Sequence, residues 1–207
     1  MKEDPDIHVN QKEYNEYMPM ALLEHKIGAL NRMYRRLDRH LSAFKRRSGL
    51  ACVYGCGLCC RTGELNATVI EFLPSAYDLY QKGESNRILG QIADKKDTIC
   101  VFYNPFKNGM NCTQYQHRAL VCRLFGFSVR NDKLGVPNLV TCVPIKRSME
   151  ARQTIQLLEK APNLSSYYMR LYGIDPALSN KDLPVNQAIK GAIEQVSLYF
   201  NFRRKPA

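Results

Sequence analysis

The sequence predicts an α-rich single domain with minor irregular β structure, in which N- and C-terminal helices brace an irregular, cysteine-bearing middle. Three observations carry that expectation. Apolar residues recur at helical spacing toward both ends of the 207-residue chain, glycine and proline interrupt the middle third, and all eight cysteines fall between Cys52 and Cys142.

Residues 1–19 read as a polar N-terminal segment, with the single domain over 20–207 and the cysteine-cluster region at about 50–145. From Met20 the apolar positions are Met20, Leu23, Ile27, Leu30, Tyr34, Leu37, Leu41 and Phe44. Alternating steps of three and four make them the seam of an amphipathic helix. Lys26, Arg32, Arg35, Arg36, Arg39, Lys45, Arg46 and Arg47 lie off the seam, opposed between Lys26 and Arg47 only by Asp38, so the outer face is cationic. Gly49 supplies a stop.

Residues 52–66, with Gly55, Gly57 and Gly63, read as loop. Pro74 suits a first helical position before Ser75 to Gln81, Gly83 ends that helix, and Ser85 caps another toward Ala93. Thr98 to Tyr103 is a short strand candidate, Asn104 to Cys112 a turn, and Val136 to Val143 a second extended stretch ending at Pro144. A helix follows with Ala151, Ile155 and Leu158 on one face. Asn163 caps Leu164 to Tyr172, which Gly173 closes. After a polar loop, Asn186 caps a final helix with Ile189, Ala192, Ile193, Val196 and Phe200 on its apolar face. This helix and the first are expected to pack on each other.

Thirty basic residues against nineteen acidic ones give a net charge of +11. Such a balance favours polyanionic partners and says nothing about fold. With acids at Glu3, Asp4 and Asp6 and no apolar core there, no secretory leader is expected in the opening residues. No run approaches the roughly 18 apolar residues of a membrane span. The expectation is therefore a cytoplasmic, monomeric chain, and in a reducing compartment clustered thiols serve as ligands or catalysts more often than as disulfides.

The stretch Cys52-Val-Tyr-Gly-Cys56-Gly-Leu-Cys59-Cys60 brings three thiols together from one tight loop, with Gly55 and Gly57 permitting unusual backbone angles. Successive side chains diverge, so Cys59 and Cys60 are awkward partners on one tetrahedral ion and suit a multi-iron cluster or two adjoining sites. Cys100, Cys112, Cys122 and Cys142 complete the candidate ligand set. Arg61, Arg118 and Arg123 lie beside these ligands, where their charge would favour thiolate over thiol and offset a negative centre. His8, His25, His40 and His117 share no ligand spacing, and His117 reads as an exposed turn residue.

The pattern CxxxCxxCC, then Cys100, Cys112, Cys122-Arg123 and Cys142, resembles the YkgJ-type cysteine-cluster family, read as zinc- or iron-chelating. The resemblance spans about residues 50–145 and takes in all eight cysteines in order. The family's turn before the seventh cysteine commonly holds an Arg-Pro pair, where this chain has Arg118-Ala119. Flagellin lysine N-methylases share the motif but are considerably longer. Radical S-adenosylmethionine enzymes also use CxxxCxxC, yet no strand-helix alternation follows Cys60, Leu58 stands where they carry an aromatic, and five cysteines would have no role.

The resemblance implies a metal-binding protein with a cysteine-ligated centre, most simply an iron-sulfur cluster and otherwise zinc, serving redox, cluster handling or a modification reaction on an unidentified protein partner or substrate. The alternative is a zinc-stabilised basic module for nucleic acid or an acidic protein, using the cationic helix and the Arg203-Arg204-Lys205 end; a base-stacking surface of interleaved aromatics is lacking, so nucleic-acid binding would be weak. A phosphate loop, a dinucleotide fingerprint and an HExxH pair are all absent, so any catalysis would have to run through the metal.

Overall fold

The structure, a computed structural model, describes residues 22–52, 55–106, 111–147, 158 and 160–203. Helix α1 runs Leu22–Ser48 and buries Leu23, Ile27, Leu30, Met33, Tyr34, Leu37, Leu41 and Phe44. The seam of the sequence is thus the buried face from Leu23 onward; Met20 lies outside the described residues. Each fully buried leucine of that face is worth roughly 1.5–3 kcal/mol of transfer from water.

After α2 (Leu58–Arg61) a 3-10 turn, Val69–Phe72, leads directly into α3 (Leu73–Gln81) and then α4 (Ser85–Asp94). Pro74 sits in the first turn of α3, where its missing N–H costs nothing. The N-cap of α4 is Glu84 and not Ser85, which begins the helix. Helix α5 (Leu120–Leu124) follows a 3-10 turn at Tyr115–His117.

Two small antiparallel ladders account for the β structure. Strand β1 (Asn66–Ala67) pairs with β4 (Leu183–Pro184), and β2 (Ser128–Asn131) pairs with β3 (Pro137–Val140), Ser128 facing Val140 and Asn131 facing Pro137. The expected strand Thr98–Tyr103 does not form. Asp97 caps the Ile99 N–H at 3.0 Å and the Tyr103 N–H bonds Cys100 at 2.9 Å, closing the backbone locally and leaving only a bridge from Tyr103 to Cys112. The second extended stretch ends early, because Val143–Arg147 is helix α6 with Pro144 in its first turn.

Ala151 and Ile155 lie outside the described residues. Helix α7 (Leu164–Tyr172) has the expected cap, Asn163 accepting from the Ser166 N–H at 3.1 Å. The polar loop after it holds a further short helix, α8 (Pro176–Ser179), capped by Asp175 with Pro176 at its start. The final helix α9 spans Val185–Arg203 and buries Ile189, Ala192, Ile193 and Val196. Asn186 is not its cap. Its side chain reaches across the molecule to the loop 99–101.

The two long helices do not simply pack face to face. Helix α1 packs on α3 and α5, while α9 packs on α3, α4 and the 69–72 turn, so α3 is their shared neighbour. One direct tie between them is at an end, where Tyr199 donates to Glu24 at 2.5 Å; α1 is also tied to the segment ahead of α8, Lys26 pairing with Asp175 at 2.6 Å. Lys26 thus belongs to an intramolecular ion pair and not to the cationic outer face.

Candidate metal centre

All eight cysteines line one cavity of about 740 Å³, walled by Phe72, Phe102, Phe125 and Phe127 and carrying Lys45, Arg118 and Arg123. None is in a disulfide. Five parts of the fold supply the thiols. Cys52 and Cys56 come from the loop after α1, Cys59 and Cys60 from α2, Cys100 and Cys112 from the two sides of the Tyr103–Cys112 bridge, Cys122 from α5, and Cys142 from the turn that starts α6.

Local chemistry holds these segments in place. Gly57 precedes α2 with φ +53°, and a Cβ there would come 2.6 Å from the Tyr103 ring, so only glycine lets this loop approach the 100–103 turn. Asn111 donates to the Gly55 carbonyl at 2.5 Å, and the Cys100 N–H bonds the Cys60 carbonyl at 3.0 Å. Asn186 clamps the same turn from α9, accepting from the Val101 N–H and donating to the Ile99 carbonyl, both at 2.9 Å.

The Cys59 and Cys60 sulfurs stand 3.9 Å apart, against the expectation that adjacent side chains diverge. The four-residue helix α2 turns both toward the cavity. A hydrogen bond from the Cys60 thiol pulls the Cys59 thiol down to about 7, while Cys60 is pushed up by the same bond and by burial. Burial pushes Cys100 up to about 12 and raises Cys122 strongly, with neighbouring thiols adding to both. Of the adjacent pair Cys59 and Cys60, Cys59 is the thiol that ionises near neutral pH, the form in which a cysteine first binds a metal.

The three arginines divide. Arg118 lines the cavity, its guanidinium 3.7 Å over the Tyr115 ring and its Nε donating to the Tyr115 carbonyl at 3.1 Å. Arg123 also lines the cavity, but its guanidinium is engaged by the Asp38 carboxylate and by the carbonyls of Gln116 and Arg118, each at 2.8 Å, over the Tyr34 ring. It ties the 116–123 turn to α1 and is not available as a free charge. Arg61 is exposed at the end of α2 and does not line the cavity.

Sequence reasoning missed Lys45. Its place off the seam predicts the outer face of the first helix, yet it lines the cavity with its Nζ 3.9 Å above the Phe127 ring, and burial and the nearby Arg118 lower its pKa. Its position one turn beyond Leu41 was the only signal. His117 lines the cavity too, with Nε2 3.7 Å from an Asp78 carboxylate oxygen.

Among the described residues no three Cys, His, Asp or Glu side chains converge tightly enough to hold one ion as they stand. The donor set nonetheless fits a thiophilic metal: eight soft thiols around one space, apolar walls, and the cations Lys45 and Arg118 to offset thiolate charge.

Residues 51–152 match the model of the CxxCxxCC family, described as a "putative zinc- or iron-chelating domain". No curated protein and no solved structure matches the chain.

Proposed function

Since residues 51–152 belong to the CxxCxxCC family, we propose that this metal-binding protein holds an iron-sulfur centre through Cys52, Cys56, Cys59, Cys60, Cys100, Cys112, Cys122 and Cys142. The observation that carries this reading is the common cavity of about 740 Å³ lined by all eight thiols. One structural zinc takes four ligands at about 2.3 Å and would leave four of the eight thiols without a role. Iron-sulfur clusters take thiolates from separated segments, and burial and local charge set their potential. Such a cluster would supply electron transfer, and the chain's own residues would tune it: the phenylalanine walls exclude water, and Lys45 and Arg118 favour the reduced, more negative state.

Cys52 is exposed at the rim, so the centre is open to a protein partner, which suits a redox, cluster-handling or modification-support role. Eight thiols outside any disulfide are at home in a reducing cytoplasm. A zinc reading is favoured by one distance, because 3.9 Å between the Cys59 and Cys60 sulfurs is close to the edge of a zinc-thiolate tetrahedron, about 3.8 Å for 2.3 Å bonds.

Anaerobic purification followed by metal, sulfide and visible-absorption analysis separates the two. A brown protein carrying iron and acid-labile sulfide, and losing both in Cys59→Ser and Cys122→Ser but not in Arg61→Ala, is expected. A colourless protein with stoichiometric zinc would refute the iron-sulfur assignment.

A further inference from the structure

Helix α1 carries a second feature that the metal site does not use. At 100° per residue, Arg32, Arg35, Arg36, Arg39, Arg46 and Arg47 fall within about 120° of arc, opposite the buried seam. All six are exposed. From Arg32 to Arg47 the ridge is about 22 Å long at 1.5 Å per residue. The rest of the sector is His25, Gly28, Ala29 and Ala43, so it contains no acid and no large apolar side chain. The acids on its flanks are already engaged, Glu24 by Tyr199 and Asp38 by Arg123. None of the six arginines forms an ion pair among the described residues.

We propose that this arginine ridge is a sequence-indifferent grip for nucleic-acid phosphates. Arginine's planar fork binds phosphate oxygens in pairs. Membrane binding by α1 would need its apolar face, and that face is locked in the core. A protein partner would need apolar or aromatic anchors at the centre of the interface, which the ridge lacks. Without aromatics the ridge cannot stack on bases, and arginines spaced along an exposed ridge of this length reach phosphate oxygens, which carry no sequence information. Contacts therefore stop at the backbone. The proposal is independent of the metal, since none of the six arginines lines the cavity.

The test is anisotropy of the full chain, as purified, with a random-sequence DNA duplex and a random single-stranded RNA, across a salt series. Binding of both, near 10⁻⁴ to 10⁻⁶ M at physiological salt, is expected, on the order of non-specific affinities. The triple variant Arg35→Ala, Arg36→Ala, Arg39→Ala should reduce the log-log salt slope by about 2–3, at about 0.7–0.9 per lost contact. Its affinity at low salt should fall at least tenfold, with metal content and melting unchanged. Replacing the same three by lysine should keep most of the slope. Unchanged binding in the alanine variant would overturn the proposal. So would tighter binding to polyglutamate or to anionic phosphatidylserine vesicles than to either nucleic acid, lost in the same variant, which would reassign the ridge to an acidic protein or a membrane surface.

Discussion

At the scale of single residues, the buried carboxyl of Glu71 links the 3-10 turn to the helix that carries Cys122. Its side chain is fully buried, and it accepts from the Thr68 N–H at 2.9 Å, the Thr68 hydroxyl at 3.1 Å and the Val121 N–H at 2.7 Å. The same residue's carbonyl accepts from the Tyr34 hydroxyl at 3.0 Å. Burial raises its pKa from 4.5 to about 7 against the opposing pull of those donors. A carboxyl raised on folding binds its proton more tightly in the folded state, so its contribution is fully present below pH 4.5 and is lost as pH rises to about 7. The linked change is about 3 kcal/mol. Urea melts should show wild type losing stability between pH 4.5 and 7 relative to Glu71→Gln, which lacks that titrating group. Glutamine turns one acceptor into a donor facing an N–H, so the variant should also be weaker at pH 5 by about 1–3 kcal/mol. Parallel pH profiles for the two proteins would rule out a titrating Glu71.

Among the elements, α9 does more than fill the core. Its first turn projects Asn186 onto the 99–101 backbone, so the cysteine-bearing turn is held by an amide 85 and 87 residues away in sequence. Asn186→Ala removes both bonds and should destabilise the chain by about 2–4 kcal/mol, leaving a partly buried N–H and carbonyl without their partner. Asn186→Asp keeps the acceptor for Val101 but sets a carboxylate oxygen against the Ile99 carbonyl, so it should be at least as damaging despite its similar shape. Amide exchange is expected to accelerate first at residues 98–103 in both variants, with metal affinity falling in step. An alanine variant with wild-type exchange at Ile99 and Val101 would show that the turn holds itself. The α1 seam behaves differently, because its leucines pack on α3 and α5 over many turns and no single polar bond decides the outcome.

For the molecule as a whole, the long periodic segments were legible in sequence and the connections between them were not. The α1 seam, the Asn163 cap and the apolar face of α9 follow from local spacing. The small ladder β1–β4, the Asn186 clamp and the inward turn of Lys45 depend on partners far along the chain, and no local pattern encodes them. The clustering of eight cysteines marked the site, but Arg123 looked like a charge for the centre because its partner, Asp38, lies 85 residues earlier. A further consequence concerns folding. Sparse apolar residues in the middle third suggest that metal alone could order it, yet Phe72, Cys100, Phe102, Leu120, Leu124, Phe127 and Val129 are buried in the same core as the long helices. Around the rim of the cavity, by contrast, Cys52, Leu58, Arg61 and Thr62 are exposed. Stripping the metal should therefore loosen the rim and leave the core: the melting temperature falls, by about 2–4 °C for each kcal/mol of binding energy lost, while far-UV ellipticity keeps most of its helical signal and unfolding stays cooperative. Hydrogen exchange should rise at 55–62 and 111–118, with α1, α3 and α9 still protected. Loss of most of the helical signal on chelation would mean that the metal organises the entire fold, and the buried phenylalanines of the middle would then owe their packing to it.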